Sequence, residues 1–549
     1  MQPFKIEDGE PGSDPGSAII RDDTRKFKLL FLLLCAIIIG SMALGIEAFR
    51  GKSGGILRML NMQTAYVMHA LAYARQNGQS NESGGSAVKT APRPDENIAY
   101  AVPVITYHGI TDHVDPDTTT NVTEEAFVAQ MFALKEAGYR AISIAELHAF
   151  LKGQAPLPER SFMITFDDGR ADAYVRGDPV LRAVGYHAVM FVISSNSLDA
   201  PGTFYLTADD LKQMQQSGRW DIQPHAHDGH AFYPISESGA LGHFYANKFW
   251  LANDGRYETD AEYEARVTRD IDVVASRLEA VFGTKMTAFD LPFGDFGQYT
   301  TNYPEASRIM ERVLRQRFPL IFYQDAPGVY FTQNYVTAFD AKQKSFFVKR
   351  INVDPSWDGE ALIKILERSS PKSLPYDDDF QRDNGWIVAW GMTTIAPGQM
   401  TINPNPTQGG GSVILDGSRH WKDYAVKARI VSLSRSGTFL WVRMQNNGFN
   451  AGCNYGNGFV HVEQVVNGEK NVLRGIRSPD IVIPSDEFTV EARVHGRTLS
   501  CYLDGVLMVE TPFLDPLLDS GGIGFKTWEP FVGISEIIVK EVHVEAISS

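Results

Sequence analysis

Cysteine is scarce in this chain. There are three in 549 residues, at Cys35, Cys453 and Cys501. No CxxC pair or cysteine-rich zinc pattern exists, so any metal site has to be built from histidine and carboxylate. Cys453 and Cys501 are expected to be two buried thiols, with one disulfide as the alternative. Positive charge is also short. The net charge of -15 excludes a general nucleic-acid binder. From Asp377 onward no segment has helical periodicity, which excludes a second α/β region there.

The length, at roughly one domain per 150 residues, implies two to four domains, and 44% hydrophobic residues supply their cores. Residues 1–26 are polar and rich in Gly, Pro, Ser and Asp, and read as a disordered tail. Residues 27–49 contain the uncharged apolar run Leu29–Ile46, at the lower edge of the length that spans a bilayer. Arg21, Arg25, Lys26 and Lys28 precede the run and no A-x-A site follows it. The expectation is an uncleaved, single-pass signal anchor with a cytoplasmic N-terminus and everything after residue 50 extracytoplasmic, with a cleaved signal peptide as the alternative. In residues 50–99, an amphipathic helix at 56–75 gives way to a Gly/Ser/Asn linker.

Residues 100–370 alternate strands and helices. Strands are expected at 102–110, 139–143, 161–166 and 186–193. Helices are expected at 123–138, 144–152, 207–217 and 261–282, with Thr123 an N-cap and Gly138 and Gly283 at C-termini. Such alternation implies parallel βαβ units closed into a barrel.

The run Ser161–Phe166 reads as a strand buried on both faces. It ends in Asp167, Asp168 and Gly169. Neighbouring side chains at a strand end point to different sides, so one Asp can hold a metal while the other faces water or substrate. The competing reading is a helix-capping Asp before a turn glycine. Downstream, Asp221-Ile-Gln-Pro-His-Ala-His-Asp-Gly-His-Ala231 packs three histidines into six residues. On a helix, His225 and His230 would stand about 140° apart. Pro224 and Gly229 argue for a loop, which can fold both imidazoles onto one ion. Two imidazoles and a carboxylate suit a divalent transition metal: zinc first, then nickel, cobalt or iron, with an open position for chemistry. His227 is read as a supporting residue.

Five segments share a resemblance. Thr165-Phe-Asp-Asp-Gly169 resembles the first motif of the polysaccharide deacetylases, the NodB-homology domain of carbohydrate esterase family four. His225-x4-His230 resembles their second motif, with the spacing of PgaB-type exopolysaccharide deacetylases. Phe289-Asp-Leu-Pro-Phe-Gly294 resembles the third, Val104-Ile-Thr-Tyr-His108 the first strand, and Arg350-Ile-Asn-Val-Asp-Pro-Ser-Trp357 the late motif region. The resemblance implies a distorted (β/α) barrel that removes N-acetyl groups from N-acetylhexosamine units of an exported polysaccharide. Asp168, His225 and His230 would be metal ligands and Asp167 the general base. The Phe293 N–H would face the oxyanion, and Trp357 would line the acetyl pocket or simply pack. Partners would be the glycan, the membrane and exopolysaccharide synthesis or export proteins, with no nucleic acid. Two departures stand out. Asp290 occupies the place of an Arg that braces the base, and no His lies between His243 and His420. His108 is therefore taken as the general acid, with Asp354, Asp290 or a metal-bound water as alternatives. The departures also leave open a glycan-binding or assembly protein with a decayed barrel.

After a linker, residues 376–549 read as short strands with hairpin turns at Asn467-Gly468 and Asp504-Gly505, an all-β sandwich or jelly roll. Tyr376-Asp-Asp-Asp-Phe380, Trp421-x-Asp-Tyr424 and Gly524-Phe-Lys-Thr-Trp528 resemble concanavalin-A-like lectin and glucanase modules. Five of the eight tryptophans fall here: Trp386, Trp390, Trp421, Trp441 and Trp528. The expectation is a sugar-binding surface, with Trp441 assigned to the core.

Overall fold

The computed structural model describes residues 97–547, except 115–119, 200–201, 327, 337–342, 404–408, 433–436, 485 and 531–534. The tail, the apolar run Leu29–Ile46, the helix at 56–75 and the linker up to residue 96 lie outside the described residues. Among those described, no helix is long and apolar enough to cross a membrane.

The first half is a barrel of parallel strands. In chain order its elements are β1 (Val104–Tyr107), α1 (Glu124–Glu136), α2 (Ile144–Leu151), β2 (Ser161–Phe166), α3 (Ala171–Val184), β3 (Ala188–Ile193), α4 (Ala208–Gln216) and β4 (Trp220–Ala226). A small hairpin follows, β5 (Phe232–Pro234) and β6 (Leu241–His243). Then come α5 (Asp260–Phe282), β7 (Ala288–Asp290), α6 (Ala306–Arg317), β8 (Leu320–Tyr323), β9 (Phe346–Lys349), β10 (Ile351–Asn352) and α7 (Gly359–Arg368). One parallel sheet runs β10-β1-β2-β3-β4 and a second runs β7-β8-β9.

Two joints turn these sheets into a distorted barrel. At one, β9 runs into β10 with only Arg350 between them. At the other, β4 and β7 are not paired strand to strand. There the Gln223 side-chain Oε1 accepts the N–H groups of Thr287 and Ala288, each at 3.0 Å. β4 is therefore an edge strand, and an edge tolerates a proline. This is why the strand continues through Pro224 and His225 to Ala226, where a loop was expected. Met163, Val189, Phe191, Phe322 and Val348 fill the interior.

Local chemistry explains most helix ends. Ser143, Thr207 and Thr259 each make a reciprocal capping box with Glu146, Asp210 and Glu262. Thr123 accepts the Ala126 N–H as expected. The strand expected at 139–143 shrinks to the pair Arg140–Ala141. Helix α3 escaped the periodicity because Gly177 and Pro179 lie inside it, residues that the helix pattern penalises.

The second half is a sandwich of two antiparallel sheets. One runs Met392–Ala396, Gln399–Asn403, Ile537–Ala546, Tyr424–Ser432, Glu487–His495, Thr498–Leu503, Val506–Thr511, with Tyr376–Asp378 beside Ile537–Ala546. The other runs Trp386–Trp390, Gly410–Leu415, Gly522–Trp528, Thr438–Asn446, Phe449–Gly456, Phe459–Val466, Glu469–Arg477. Both expected hairpin turns form, with positive φ at Asn467, Gly468, Asp504 and Gly505. Leu440, Val442, Val462, Val490, Val494, Phe525 and Val539 belong to the shared core.

Two expectations need correction. Cys453 and Cys501 are not separate thiols but a disulfide. They lie on strands of opposite sheets that face each other across the core, a proximity their separation in sequence conceals. Trp441 does not fill the sandwich core. Strand alternation turns it to the other face, where it packs beside Phe331, Tyr335, Ile414 and Met444. That cluster joins barrel to sandwich, with the Tyr335 and His420 rings stacked and Trp421 Nε1 donating to the Lys372 carbonyl at 2.6 Å. Trp386 and Trp421 are buried, Trp390 is half-buried, and Trp528 is 43% exposed.

Candidate metal centre

Strand β2 delivers the two carboxylates to one end of the barrel. Asp168 and Gly169 then both take left-handed backbone, φ 72° and 73°. Asp tolerates this region better than most residues, and such outliers cluster at functional sites. The turn sends Asp167 and Asp168 to different neighbours. Asp168 Oδ1 lies 3.7 Å from His225 Nε2 and 3.3 Å from His230 Nε2. Donors about 2.1 Å from one ion at the tetrahedral angle are about 3.4 Å apart, so the three fit a single cation. Asp168 Oδ1 and His225 Nε2 are also buried without a hydrogen-bond partner. Buried polar atoms rarely stay unsatisfied, so two converging ones fit the donor set of a bound cation.

The histidines reach that point from different supports. His225 is fixed on β4, with Nδ1 3.0 Å from both the Asp290 carbonyl O and its Oδ2. A carboxylate behind a ligating imidazole sets the tautomer that leaves Nε2 free for metal. His230 sits at the end of a loop clamped by Asp270 of α5. The Asp270 carboxylate accepts the N–H groups of His227 and Asp228 at 3.0 and 2.7 Å, and the Tyr245 hydroxyl. His227 turns to Ser194 Oγ at 3.0 Å, in keeping with a supporting role. Asp270 could not be singled out from the chain order, since one acidic residue in an amphipathic helix looks like surface.

Charges follow this layout. Burial opposes a charge on His225, but Asp290, Asp167 and Asp168 outweigh it and raise its pKa to about 9. The carboxylates that favour a proton there also favour a divalent cation, which binds by displacing it. Burial and the neighbouring His225 push His230 down to about 4, the neutral state a ligand needs.

Asp167 is held by Arg350. The guanidinium grips it bidentately at 2.7 and 3.0 Å and reaches Asp290 Oδ1 at 2.7 Å. Burial alone would raise the Asp167 pKa, but Arg350, then His108 and His225, hold it well below the usual carboxylate range. Burial pushes Asp290 up to about 6 against the pull of Arg350. A second donor set, Asp167, His225 and Asp290, is equally close, but the guanidinium on both carboxylates already supplies its positive charge. The brace missing from the third motif therefore exists and comes from Arg350, at the joint between β9 and β10. Its position 183 residues from Asp167 hid it.

The other expected residues divide. His108 lies beside Asp167, Nε2 to Oδ2 3.5 Å, with Nδ1 buried and unpartnered. Burial lowers its pKa despite the adjacent Asp167. The two carboxylates named as alternatives to it sit differently. Asp290 is fully buried between Arg350 and His225. Asp354 is exposed and accepts from Ser356. Phe293 has left-handed backbone at φ 59°, and its ring lies 4.4 Å from His230. Trp357 is half-buried, and its carbonyl accepts from Gln130 Nε2 at 2.6 Å. No contact of Trp357 with the Asp168–His225–His230 group is found among the described residues.

Known proteins show the same resemblance. The sequence model of the family described as "Polysaccharide deacetylase" matches residues 154–308. The poly-β-1,6-N-acetyl-D-glucosamine N-deacetylase of Escherichia coli K12 is 26% identical over 204 residues, 35% of this chain and 30% of that protein. The Staphylococcus epidermidis protein of the same name is 30% identical over 123 residues, 22% of this chain and 42% of its own. The chain thus spans less than half the length of either relative. Among solved structures, a de-N-acetylase from Aggregatibacter actinomycetemcomitans aligns with TM-score 0.41 and 21% identity, over 48% of this chain and 99% of that one. Residues 154–308 are thus similar to the polysaccharide deacetylase domain.

Proposed function

We propose that this protein is a metal-dependent N-deacetylase of an exported N-acetylhexosamine polymer, with poly-β-1,6-N-acetylglucosamine as the substrate class the relatives' names favour. The observation that carries the reading is the convergence of Asp168, His225 and His230 on one point with two orphaned donor atoms, beside a carboxylate pinned by Arg350. A divalent ion held there, zinc, nickel, cobalt or iron, supplies Lewis acidity toward water and an amide carbonyl.

The chain's own residues do the rest. Asp167, kept ionised and oriented by Arg350, takes the proton of the attacking water. His108, its Nε2 3.5 Å from Asp167 Oδ2, takes that proton on from Asp167 and returns it to the departing amine. The Phe293 N–H, presented by its left-handed backbone, donates to the developing oxyanion. Asp270 and Asp290 keep the two imidazoles aimed.

The protein is further proposed to be held at the membrane by Leu29–Ile46, N-terminus inside, with the barrel extracytoplasmic near polysaccharide synthesis or export proteins. A disulfide between Cys453 and Cys501 supports that side, since such bonds persist in oxidising compartments. The sandwich, with Trp528 and Trp390 outward, would hold the polymer near the barrel. The alternative of a decayed barrel loses one of its two grounds with Arg350 in place.

The test is acetate release from β-1,6-linked N-acetylglucosamine oligomers and from chito-oligosaccharides, before and after chelation and metal return. Chelator-sensitive release restored by a transition metal is expected. No release from either substrate with metal bound overturns the proposal.

A further inference from the structure

The loop that carries His230 does not run straight into α5. It first makes the β5–β6 hairpin, in which Phe232 pairs across from His243. The hairpin leans both rings on Phe293. Centroids are 5.3 Å apart for Phe232–Phe293 and 4.4 Å for His243–Phe293, the latter only 8° from parallel. Phe293 itself touches His230. A continuous cluster of packed rings therefore extends outward from a metal-ligand candidate, with Phe232 tilted 44° to Phe293.

The cluster faces solvent yet is firmly built. Phe232 is 55% exposed and Phe293 40% exposed, in a chain with ample core to bury them. His243 is fixed by Nδ1 to Asp295 Oδ2 at 2.5 Å, and Asp295 Oδ1 accepts the Gly297 N–H at 3.0 Å. Asn247 Nδ2 donates to the His243 carbonyl at 3.2 Å. Asn302 Nδ2 donates to the Ile235 carbonyl at 3.0 Å, tying the hairpin to the loop after β7. Rigid aromatic faces left in water next to a reaction site mark a binding surface. The exposed Phe232 ring, with the His243 imidazole beside it, suits the C–H face of a pyranose and its hydroxyls.

Resting on the deacetylase reading, we propose that the β5–β6 hairpin and Phe293 form a sugar-stacking subsite that holds the hexosamine unit next to the one being deacetylated. The subsite selects chains over single sugars. The flanking ring lies on Phe232 while the reacting acetamide faces Asp168, His225 and His230.

The test compares the full chain with Phe232→Ala, whose exposed ring is outside the metal group and the fold's core. Two readouts are taken: calorimetric binding of a β-1,6-linked N-acetylglucosamine pentamer, and hydrolysis of a small aryl acetate that cannot reach the hairpin. Pentamer binding should weaken by about 5- to 10-fold, the scale of one aromatic contact, while aryl acetate hydrolysis stays unchanged. Equal pentamer affinity in both proteins, or no pentamer binding by either, overturns the subsite. An equal fall on both readouts also overturns it, since Phe232 would then be supporting the metal group. Phe232-dependent pentamer binding without any acetate release would instead overturn the deacetylase reading and leave the subsite standing.

Discussion

Barrel and sandwich each bury one arginine completely, and the two are used differently. Arg350 sits in the barrel between Asp167 and Asp290, the carboxylates that His108 and His225 approach, with left-handed backbone at Asp168 and Phe293. Arg443 sits at one end of the sandwich, donating to the carbonyls of Asp519 and Gly496 and to Asp423. Its surroundings neutralise it less, and burial lowers its pKa. The sandwich core proper is apolar and stapled by Cys453–Cys501. Charge in the barrel is gathered at an open end where it can meet a ligand. Charge in the sandwich is used to tie loops. The contrast separates a region whose buried charges converge on one point from one whose buried charge ties loops together.

The sharpest way to break that contrast is at the proposed metal group. His225→Ala combined with His230→Ala should lose bound transition metal and all acetate release. Asp167→Asn should lose release but keep stoichiometric metal by elemental analysis. Near-native turnover by Asp167→Asn would remove it as the base and blur the division between the two regions.

The two arginines provide the next test. Arg350→Ala leaves two buried carboxylates facing each other and should cost about 3–5 kcal/mol in denaturant unfolding together with activity. Arg443→Ala frees buried carbonyls, should cost about 1–3 kcal/mol, and should spare activity in the folded fraction. Loss of activity from Arg443→Ala at full folding would mean the sandwich reaches the reaction.

Replacing Cys453 and Cys501 with serine reopens a loop with a sequence separation of 48. In the chain-entropy account this should cost about 4 kcal/mol of sandwich stability, read as a lowered thermal midpoint, with metal content unchanged. The smallest effect expected is that of Asp270→Asn, which loosens the loop between His225 and His230. Metal affinity should fall about 10-fold with little change in unfolding, as for other groups that orient ligands. Unchanged affinity would show that the loop keeps its shape without the clamp.

Much of the barrel could be read in advance because its signals are local. Ser161–Phe166 is apolar throughout and ends in two carboxylates, so strand and site announce themselves together. Thr123, Thr207 and Gly283 mark helix ends through hydrogen bonds and backbone preferences that span three or four residues. The motif His225-x4-His230, with its Pro and Gly, suffices to name both as ligand candidates. What the chain order alone could not give is every relation made across the barrel or between the sheets. Arg350 braces Asp167 because β10 pairs with β1 and β1 with β2. Cys453 meets Cys501 because two sheets stack. Trp441 faces the barrel because strand alternation turns it away from the core. Local periodicity determined the elements and the donor set, since both depend on near neighbours. Only the tertiary structure decided which charge neutralises which, because Coulomb and packing energies depend on distance in space, and the residues concerned lie far apart along the chain.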